Sequence, residues 1–209
     1  MALPSTPGER IELPGATVAL DRAWLRAAEA TAVFEALLAA TPWESHRIRV
    51  YGRWLDAPRL SCWIGDVAYR YSGTQFDPIP WPAVLVPIRA RLQRELGALF
   101  GDASFNSVLA NLYRDGNDRL GFHRDSEAEL GPTPLIASIS LGATRRFRFR
   151  STNGARTLGL DLGHGSLLVM SGDTQMHYQH AVPPTARAVG PRINLTFRRV
   201  TPRGAVPAP

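Results

Sequence analysis

Downstream of about residue 105 the sequence is a series of short strand-like runs, and no other feature restricts the possible folds as much. Each run is rich in apolar residues, and Gly, Pro and Asn separate one run from the next. The predicted strands are Phe105–Tyr113, Leu135–Leu141, Phe147–Ser151, Thr157–Asp161, Ser166–Ser171 and Arg192–Val200. Many short strands at such spacing predict an antiparallel sandwich or barrel rather than alternating strand–helix units.

The first half of the chain carries the helical patterns. Residues 1–18 are interrupted by Pro and Gly, so we expect them to be irregular. Asp21 can cap a helix that ends near Ala40, and apolar residues at helical spacing predict a second helix from about Pro87 to Leu99. Two strand-like stretches lie between these helices, Arg47–Trp54 and Val67–Ser72.

Length and composition indicate a single globular domain. The chain has 209 residues, of which 44% are hydrophobic and 20% are charged. No apolar run approaches the roughly 20 residues needed to cross a bilayer, and the N-terminus carries no secretion signal. We therefore expect a cytoplasmic monomer without a membrane segment. The single Cys62 excludes an internal disulfide framework and a Cys-rich zinc site.

The basic residues restrict both the chemistry and the partners. All 24 of them are arginine, which excludes mechanisms that need a lysine, such as Schiff-base chemistry. The planar and permanently charged guanidinium suits carboxylates and phosphates. The net charge of +6 is compatible with a polyanionic partner.

The last predicted strand alternates polar and apolar residues. Its sequence from Arg192 to Arg198 is Arg-Ile-Asn-Leu-Thr-Phe-Arg, and the period of two places both arginines on one face. That face could contact water, as in many half-buried sheets. Inside a small barrel, the two arginines, about 20 Å apart, could instead converge on a small dicarboxylate. The strand by itself leaves both possibilities open.

A possible metal site begins at His123 and Asp125. On an extended segment these two side chains point the same way, so a neutral imidazole and a carboxylate can bind one cation. Candidates for a third ligand are His164, His177 and His180. His180 is the best placed, because it follows a buried-looking strand, and His177 is its main competitor. Two histidines and one carboxylate on a β scaffold are typical of non-haem Fe(II) oxygenases.

Taken in order, these segments resemble the AlkB family of Fe(II)- and 2-oxoglutarate-dependent dioxygenases. The matching stretches are Asn111–Gly116, Gly121–Asp125, Ala137–Gly142, His180 and Pro191–Arg198. Upstream, three further stretches are similar to the branch that repairs alkylated DNA bases: Val50–Trp54, Pro58-Arg59 and Tyr69–Gly73.

The resemblance implies an α+β, mainly β fold. We expect a double-stranded β-helix (jelly-roll) core with N-terminal helices and a β-hairpin nucleotide-recognition lid, all in one domain. The lid and its supporting helices would occupy residues 19–104, the core 105–200 and a disordered tail 201–209.

The resemblance also implies the cofactors and the residues that bind them. Fe(II) would be held by His123, Asp125 and His180, and the cosubstrates would be 2-oxoglutarate and O2. Arg192 would pair with the far carboxylate of 2-oxoglutarate, and Arg198 with the carboxylate next to the keto group. Four further residues would complete the polar lining: Asn111, Tyr113, Asn194 and Thr196.

On the substrate side, the resemblance implies that a flipped base stacks between His123 and Tyr71. Glu127 could contact an exocyclic amino group, or be a solvated acid in a loop. Ser126 stands where close relatives carry a second acid. Tyr51 could be a wedge that fills the gap left by the base, or an ordinary strand aromatic. The complete predicted substrate set is Tyr51, Arg59, Tyr69, Tyr71, Ser126 and Glu127.

A basic stretch runs from Arg145 to Arg150. Arg146, Arg148 and Arg150 share one strand face, which we expect to meet phosphates, although a solvated face would show the same pattern.

The predicted function is Fe(II)- and 2-oxoglutarate-dependent oxidative demethylation of N-alkylated DNA bases of the 1-methyladenine and 3-methylcytosine type. Alternatives are the same chemistry on RNA, protein or lipid, an Arg-rich nucleic-acid-binding module without catalysis, or a jelly roll that binds a sugar or another small molecule.

Overall fold

The computed structural model describes residues 8–50, 53–71 and 74–201. Within these ranges the chain forms fifteen strands and three α-helices. The strands are β1 (Glu9–Ile11), β2 (Thr17–Asp21), β3 (Arg47–Val50), β4 (Arg53–Asp56), β5 (Leu60–Gly65), β6 (Tyr69–Tyr71), β7 (Thr74–Phe76), β8 (Ser107–Tyr113), β9 (Leu120–His123), β10 (Ile136–Gly142), β11 (Arg145–Ser151), β12 (Thr157–Leu162), β13 (Ser166–Ser171), β14 (Tyr178–Val182) and β15 (Arg192–Arg198). The helices are α1 (Ala27–Ala40), α2 (Val86–Phe100) and α3 (Thr174–His177), and short 3₁₀ turns cover Ala83–Leu85 and Ala128–Leu130.

Two antiparallel sheets make up the core. The large sheet has the strand order β1-β2-β13-β10-β15-β8-β5, and the small sheet has the order β12-β11-β14-β9. Apolar side chains from both sheets form one buried cluster, which includes Leu168 and Met170 of the large sheet and Phe147 and Phe149 of the small one. The sheets therefore face each other, as predicted for a jelly roll.

The helices cover the outer face of the large sheet. Val33 and Leu37 of α1 and Leu92 of α2 belong to a second buried cluster, together with Ile193 and Leu195 of β15. Because this face is covered by helices and the other faces the small sheet, all seven residues of β15 are buried. The possibility that the polar face of β15 contacts water is therefore excluded.

Three strands of the large sheet, β1, β2 and β5, come from segments that we had not assigned to strands. Residues 1–18 were expected to be irregular, but β1 and the first two residues of β2 lie there, and β2 pairs with β13. β5 was also missed, and it pairs with β8 along its whole length. All three strands are short and lie within two residues of a Pro or Gly, so their local pattern is weak and pairing with other strands stabilises them. The large sheet therefore extends beyond residues 105–200.

The prediction that Asp21 caps a helix is wrong. Asp21 ends β2, and its Oδ1 accepts a hydrogen bond of 2.9 Å from the backbone N–H of Ala23, which makes a tight turn. Trp24 and Leu25 enter the core from this turn, and α1 begins only at Ala27. The end of α1 and the position of α2 agree with the sequence pattern.

Six strands match the predicted runs to within a few residues: β8, β10, β11, β12, β13 and β15. β9 and β14 were not predicted as strands, yet they pair with each other in the small sheet. Two hairpins, β3–β4 and β6–β7, occupy the region predicted as a lid. Tyr51 and most of the predicted tail lie outside the described residues.

None of the described helices is both long and apolar enough to cross a membrane.

Arg145 is a structural residue, unlike the three arginines that follow it. It is buried, and its guanidinium donates hydrogen bonds of 2.8 Å to the carbonyls of Asp115, Asp118 and Pro183. These bonds fasten the loop that follows β8 to the end of β14. The guanidinium carbon also lies 5.7 Å from the centre of the Tyr113 ring.

Replacing Arg145 with Met should destabilise the fold by about 3 kcal/mol, because three carbonyls lose a charged donor. Arg148→Met is the matched control: Arg148 is exposed on the same strand, so a change within about 0.5 kcal/mol is expected. Urea unfolding followed by circular dichroism measures both. Equal unfolding midpoints for the two variants would contradict this account of Arg145.

Candidate active site

Three side chains with metal-ligating atoms meet between the two sheets. One ligand atom each from His123, Asp125 and His180 lie within 4.8 Å of one another. In the described part of the chain, no other group of three or more His, Cys, Asp or Glu residues does so. The sequence led us to expect that these three side chains lie close together, and in the structure they do.

Strand pairing brings the two histidines together. His123 ends β9 and His180 lies in β14, and the two are direct partners in the antiparallel register. Their ring centres are 4.2 Å apart. Asp125 lies two residues beyond the end of β9, and its side chain points to the same place.

Both imidazoles are prepared to act as neutral ligands. His123 Nδ1 lies 3.0 Å from the carbonyl oxygen of Gly121, so Nδ1 carries the proton and Nε2 is left for a metal. Burial lowers the pKa of His123, and it lowers the pKa of His180 to about 3. Phe147 stacks on the His180 ring at 5.4 Å and fixes its plane.

Asp125 is held ionised by a buried arginine. Arg198 Nη2 donates to Asp125 Oδ2 at 2.9 Å, and both side chains are buried. Burial by itself would raise the pKa of Asp125, but the charge of Arg198 and the hydrogen bond from it lower the pKa. The other oxygen, Oδ1, lies 3.7 Å from His123 Nε2 and is placed to be a metal ligand.

A polar stripe crosses the inner face of the large sheet beside these residues. Asn194 Nδ2 donates to Ser138 Oγ at 2.8 Å, and Thr196 Oγ1 donates to Asn194 Oδ1 at 3.0 Å. Asn111 and Tyr113 of β8 share this face and line the same cavity. The stripe gives the cavity hydrogen-bonding groups on one wall.

Arg192 is a buried cation without a counter-ion. Its Nη2 donates to Ser140 Oγ at 2.9 Å, but Nε and Nη1 are buried and have no acceptor in the described part of the chain. No described acidic side chain forms an ion pair with it, and burial lowers its pKa. Its guanidinium carbon lies 5.1 Å from the centre of the Tyr113 ring. A carboxylate ligand would satisfy the free donors and the charge together.

The two competing histidines lie elsewhere. His177 is exposed in α3, and its ring is close to Gly15. His164 accepts a hydrogen bond from the backbone N–H of Gly142 at 2.9 Å and lies 3.1 Å from Thr31 Oγ1. His164 therefore links α1 to the end of β10.

The predicted substrate residues are only partly placed. Glu127 is half-buried and Ser126 is exposed, and neither lines the cavity. Of Tyr69 and Tyr71 only the backbone is described, in β6, and Tyr51 lies outside the described residues. Arg59 was predicted on the substrate side but is buried in the cavity wall.

The arginine face of β11 is on the outside of the small sheet. Arg146 and Arg148 are exposed, and Arg146 pairs with the exposed Asp161 at 3.2 Å. Arg150 donates to Gln179 Oε1 at 2.7 Å and lies 4.0 Å from the centre of the Phe122 ring.

Sequence reasoning missed Gln175. This buried residue of α3 accepts a hydrogen bond of 3.0 Å from the backbone N–H of Asp125 through Oε1. Its Nε2 donates to Met170 Sδ at 3.6 Å. Gln175 therefore positions the loop that carries the carboxylate. No local pattern marks a glutamine for such a contact, so the sequence offered no signal for it.

A larger groove of about 700 Å³ lies away from the three metal-ligating residues, between the end of α2 and the loop around Pro134. It contains no cluster of titratable groups apart from an exposed ion pair between Asp102 and Arg199. We therefore identify the candidate site by its chemistry and not by its volume.

Comparison with known proteins agrees with this geometry. A family model described as the 2OG-Fe(II) oxygenase superfamily matches residues 17–198. The chain is 41% identical over 189 residues to the alpha-ketoglutarate-dependent dioxygenase alkB homolog 3 of Bos taurus, which covers 85% of this chain and 64% of that protein. It is also 41% identical over 166 residues to the DNA oxidative demethylase ALKBH2 of Mus musculus, which covers 75% of this chain and 67% of that protein. The chain thus spans about two thirds of the length of these relatives.

A solved structure shows the same fold. The structure titled OsALKBH1 superposes with a TM-score of 0.66 at 17% sequence identity, and the alignment covers 91% of this chain and 99% of that one. The mainly β jelly-roll prediction is confirmed.

Replacing Gln175 with Met should weaken metal binding about tenfold or more, because the Asp125 loop loses an anchor next to the ligands. Gln179→Met is the matched control, since Gln179 lies four residues on and contacts Arg150 on the outer face. Calorimetric titration with Mn(II) under anaerobic conditions measures both affinities. If Gln175→Met binds Mn(II) as tightly as Gln179→Met does, Gln175 does not position the site.

Proposed function

Because the chain belongs to the AlkB family within the 2OG-Fe(II) oxygenase superfamily, we propose that it removes alkyl groups oxidatively from N-alkylated bases in DNA. The cofactors are those of the family, Fe(II), 2-oxoglutarate and O2. The observation that carries the proposal is the cluster of His123, Asp125 and His180, with the buried Arg198 bound to Asp125 and the buried Arg192 at the other end of β15.

The three clustered residues are the proposed iron ligands. Two neutral imidazoles and one carboxylate match the donor set that Fe(II) takes in this class of enzyme, with positions left open for other ligands. The low pKa values of the histidines and of Asp125 support this, because each group then offers a lone pair near neutral pH.

Arg192 and Arg198 are the proposed partners of the two carboxylates of 2-oxoglutarate. The unsatisfied Nε and Nη1 of Arg192 fit the far carboxylate, with Tyr113 beside it. Arg198 lies next to the metal site through Asp125, where the carboxylate adjoining the keto group would bind. Asn111, Asn194 and Thr196 supply further polar atoms in the cavity wall.

When bound, the iron, 2-oxoglutarate and O2 supply the oxidising chemistry, and the protein supplies position and exclusion of water. Phe147 and the buried apolar cluster close the cavity on the side of the small sheet. The paired strands β9 and β14 keep the two imidazoles in fixed orientation, so little reorganisation accompanies binding.

DNA is the proposed substrate because a similar relative is named a DNA oxidative demethylase. The β3–β4 hairpin supports a nucleic-acid contact, since Trp54 and Leu55 are 46% and 51% exposed there. The outer arginines Arg146 and Arg148 are proposed to meet phosphates. The five remaining predicted substrate residues stay candidates for contacts with the base: Tyr51, Tyr69, Tyr71, Ser126 and Glu127. The cytoplasmic location and the monomeric state stay predictions.

A demethylation assay tests the proposed function. Iron-loaded protein with 2-oxoglutarate should release formaldehyde from an oligonucleotide that contains 1-methyladenine or 3-methylcytosine, and a chelator should abolish the release. Asp125→Ala should be inactive, because it removes the only carboxylate among the proposed ligands. If the iron-loaded protein leaves both lesions unchanged while oxidising a methylated RNA, the assignment to DNA is wrong.

The choice between the two nearby histidines can be tested with a pair of variants. His180→Ala should lose Mn(II) binding in calorimetric titration and lose turnover, because one of three ligands is gone. His177→Ala should retain both, since that side chain is exposed and outside the cluster. The opposite result would move the metal ligand from His180 to His177.

A further inference from the structure

Arg59 reaches the cavity from outside the two facing sheets. It lies between β4 and β5, where the β3–β4 hairpin rejoins the large sheet. The backbone there is fixed on both sides: Ala57 N–H donates to His46 O at 2.8 Å, and Arg119 N–H donates to Pro58 O at 2.8 Å. Arg59 is only 4% exposed and lines the same cavity as His123.

The contact that Arg59 makes is with Asn111. Arg59 Nε donates to Asn111 Oδ1 at 2.7 Å, and both residues are buried. Pairing of β5 with β8 places Ser61 opposite Asn111, so Arg59 leaves the strand next to this side chain. A short hydrogen bond from a charged donor is among the stronger kinds.

This bond determines which way the Asn111 amide points. A guanidinium only donates hydrogen bonds, so the oxygen of Asn111 must face Arg59. Its nitrogen, Nδ2, has no acceptor among the described residues and is available to the cavity. The neighbouring amide, Asn194, already uses its nitrogen on Ser138 and Ile139. Asn111 is therefore the amide of the polar stripe that can donate to a bound ligand.

We propose that Arg59 is a positioning residue for the 2-oxo dicarboxylate: it holds Asn111 so that Nδ2 donates to that ligand, and it is not a nucleic-acid contact. This inference rests on the proposed function. Arginines that grip phosphates present an accessible guanidinium, whereas Arg59 is almost fully buried and its Nε is engaged by Asn111. Through this bond, Arg59 connects the end of the β3–β4 hairpin to the part of the cavity wall where the 2-oxo dicarboxylate is proposed to bind.

The test is a double-mutant cycle read by ligand binding, with full-length protein loaded with Mn(II) so that no turnover occurs. Calorimetric titration with 2-oxoglutarate should show roughly tenfold weaker binding for Arg59→Met than for the wild type. In an Asn111→Ala background the same substitution should have little further effect, because Arg59 acts through Asn111. An equal loss in both backgrounds would overturn the proposal.

A second titration separates the two possible roles of Arg59. By fluorescence anisotropy, Arg59→Met should bind an oligonucleotide containing 1-methyladenine as the wild type does. Arg119→Met is the matched control, since Arg119 is an exposed arginine on the same corner, and it should keep wild-type affinity for 2-oxoglutarate. Weaker oligonucleotide binding by Arg59→Met with unchanged 2-oxoglutarate affinity would assign Arg59 to the substrate side and overturn the proposal.

A further variant, Asn111→Asp, tests the proposal if Arg59→Met does not fold. The carboxylate keeps a partner for Arg59 but has no N–H to donate, so 2-oxoglutarate binding should weaken while the melting temperature is retained. Wild-type affinity in this variant would overturn the proposal. Failure of the wild type itself to bind 2-oxoglutarate would overturn the proposed function and this inference with it.

Discussion

The buried ion pair between Arg198 and Asp125 is the interaction on which the arrangement of the site depends. It joins the end of β15 in the large sheet to the loop after β9 in the small sheet, and so fixes the distance between the sheets at the metal site. Removing either charge would leave the other buried without compensation, at a cost of about 3–5 kcal/mol. Each member also has a proposed second role, Asp125 as a metal ligand and Arg198 as a partner for a carboxylate.

The space between the sheets has two unlike parts. One is an apolar cluster around Phe149 and Leu168, which stabilises the sandwich. The other is the polar stripe on β8, β10 and β15, with Arg192 at one end and Arg198 at the other. Burial of Arg192 without a counter-ion is unfavourable, and the dianionic ligand proposed for this site would supply the missing charge.

Three residues other than the two histidines and the carboxylate hold this site in place. Gln175 holds the backbone at Asp125, Phe147 fixes the His180 ring, and Arg145 fastens the loop after β8. Each contact joins segments that are distant in the sequence. The site is therefore built on strands and buried bonds, which suits chemistry that tolerates little displacement of the ligands.

The sequence alone determined the features that depend on local periodicity and spacing. The alternation in β15 placed Arg192 and Arg198 on one face, and the separation of His123 from Asp125 made a shared cation possible. Short runs divided by Gly and Pro predicted most strands of the core. Only the tertiary structure decided which face of β15 is covered, that His180 and not His177 joins the cluster, that Arg145 is buried while Arg146 is exposed, and that Arg59 lies in the cavity wall. These outcomes depend on strands that pair across long stretches of chain, β2 with β13, β5 with β8 and β9 with β14, and a local pattern carries no information about which distant segment will cover it.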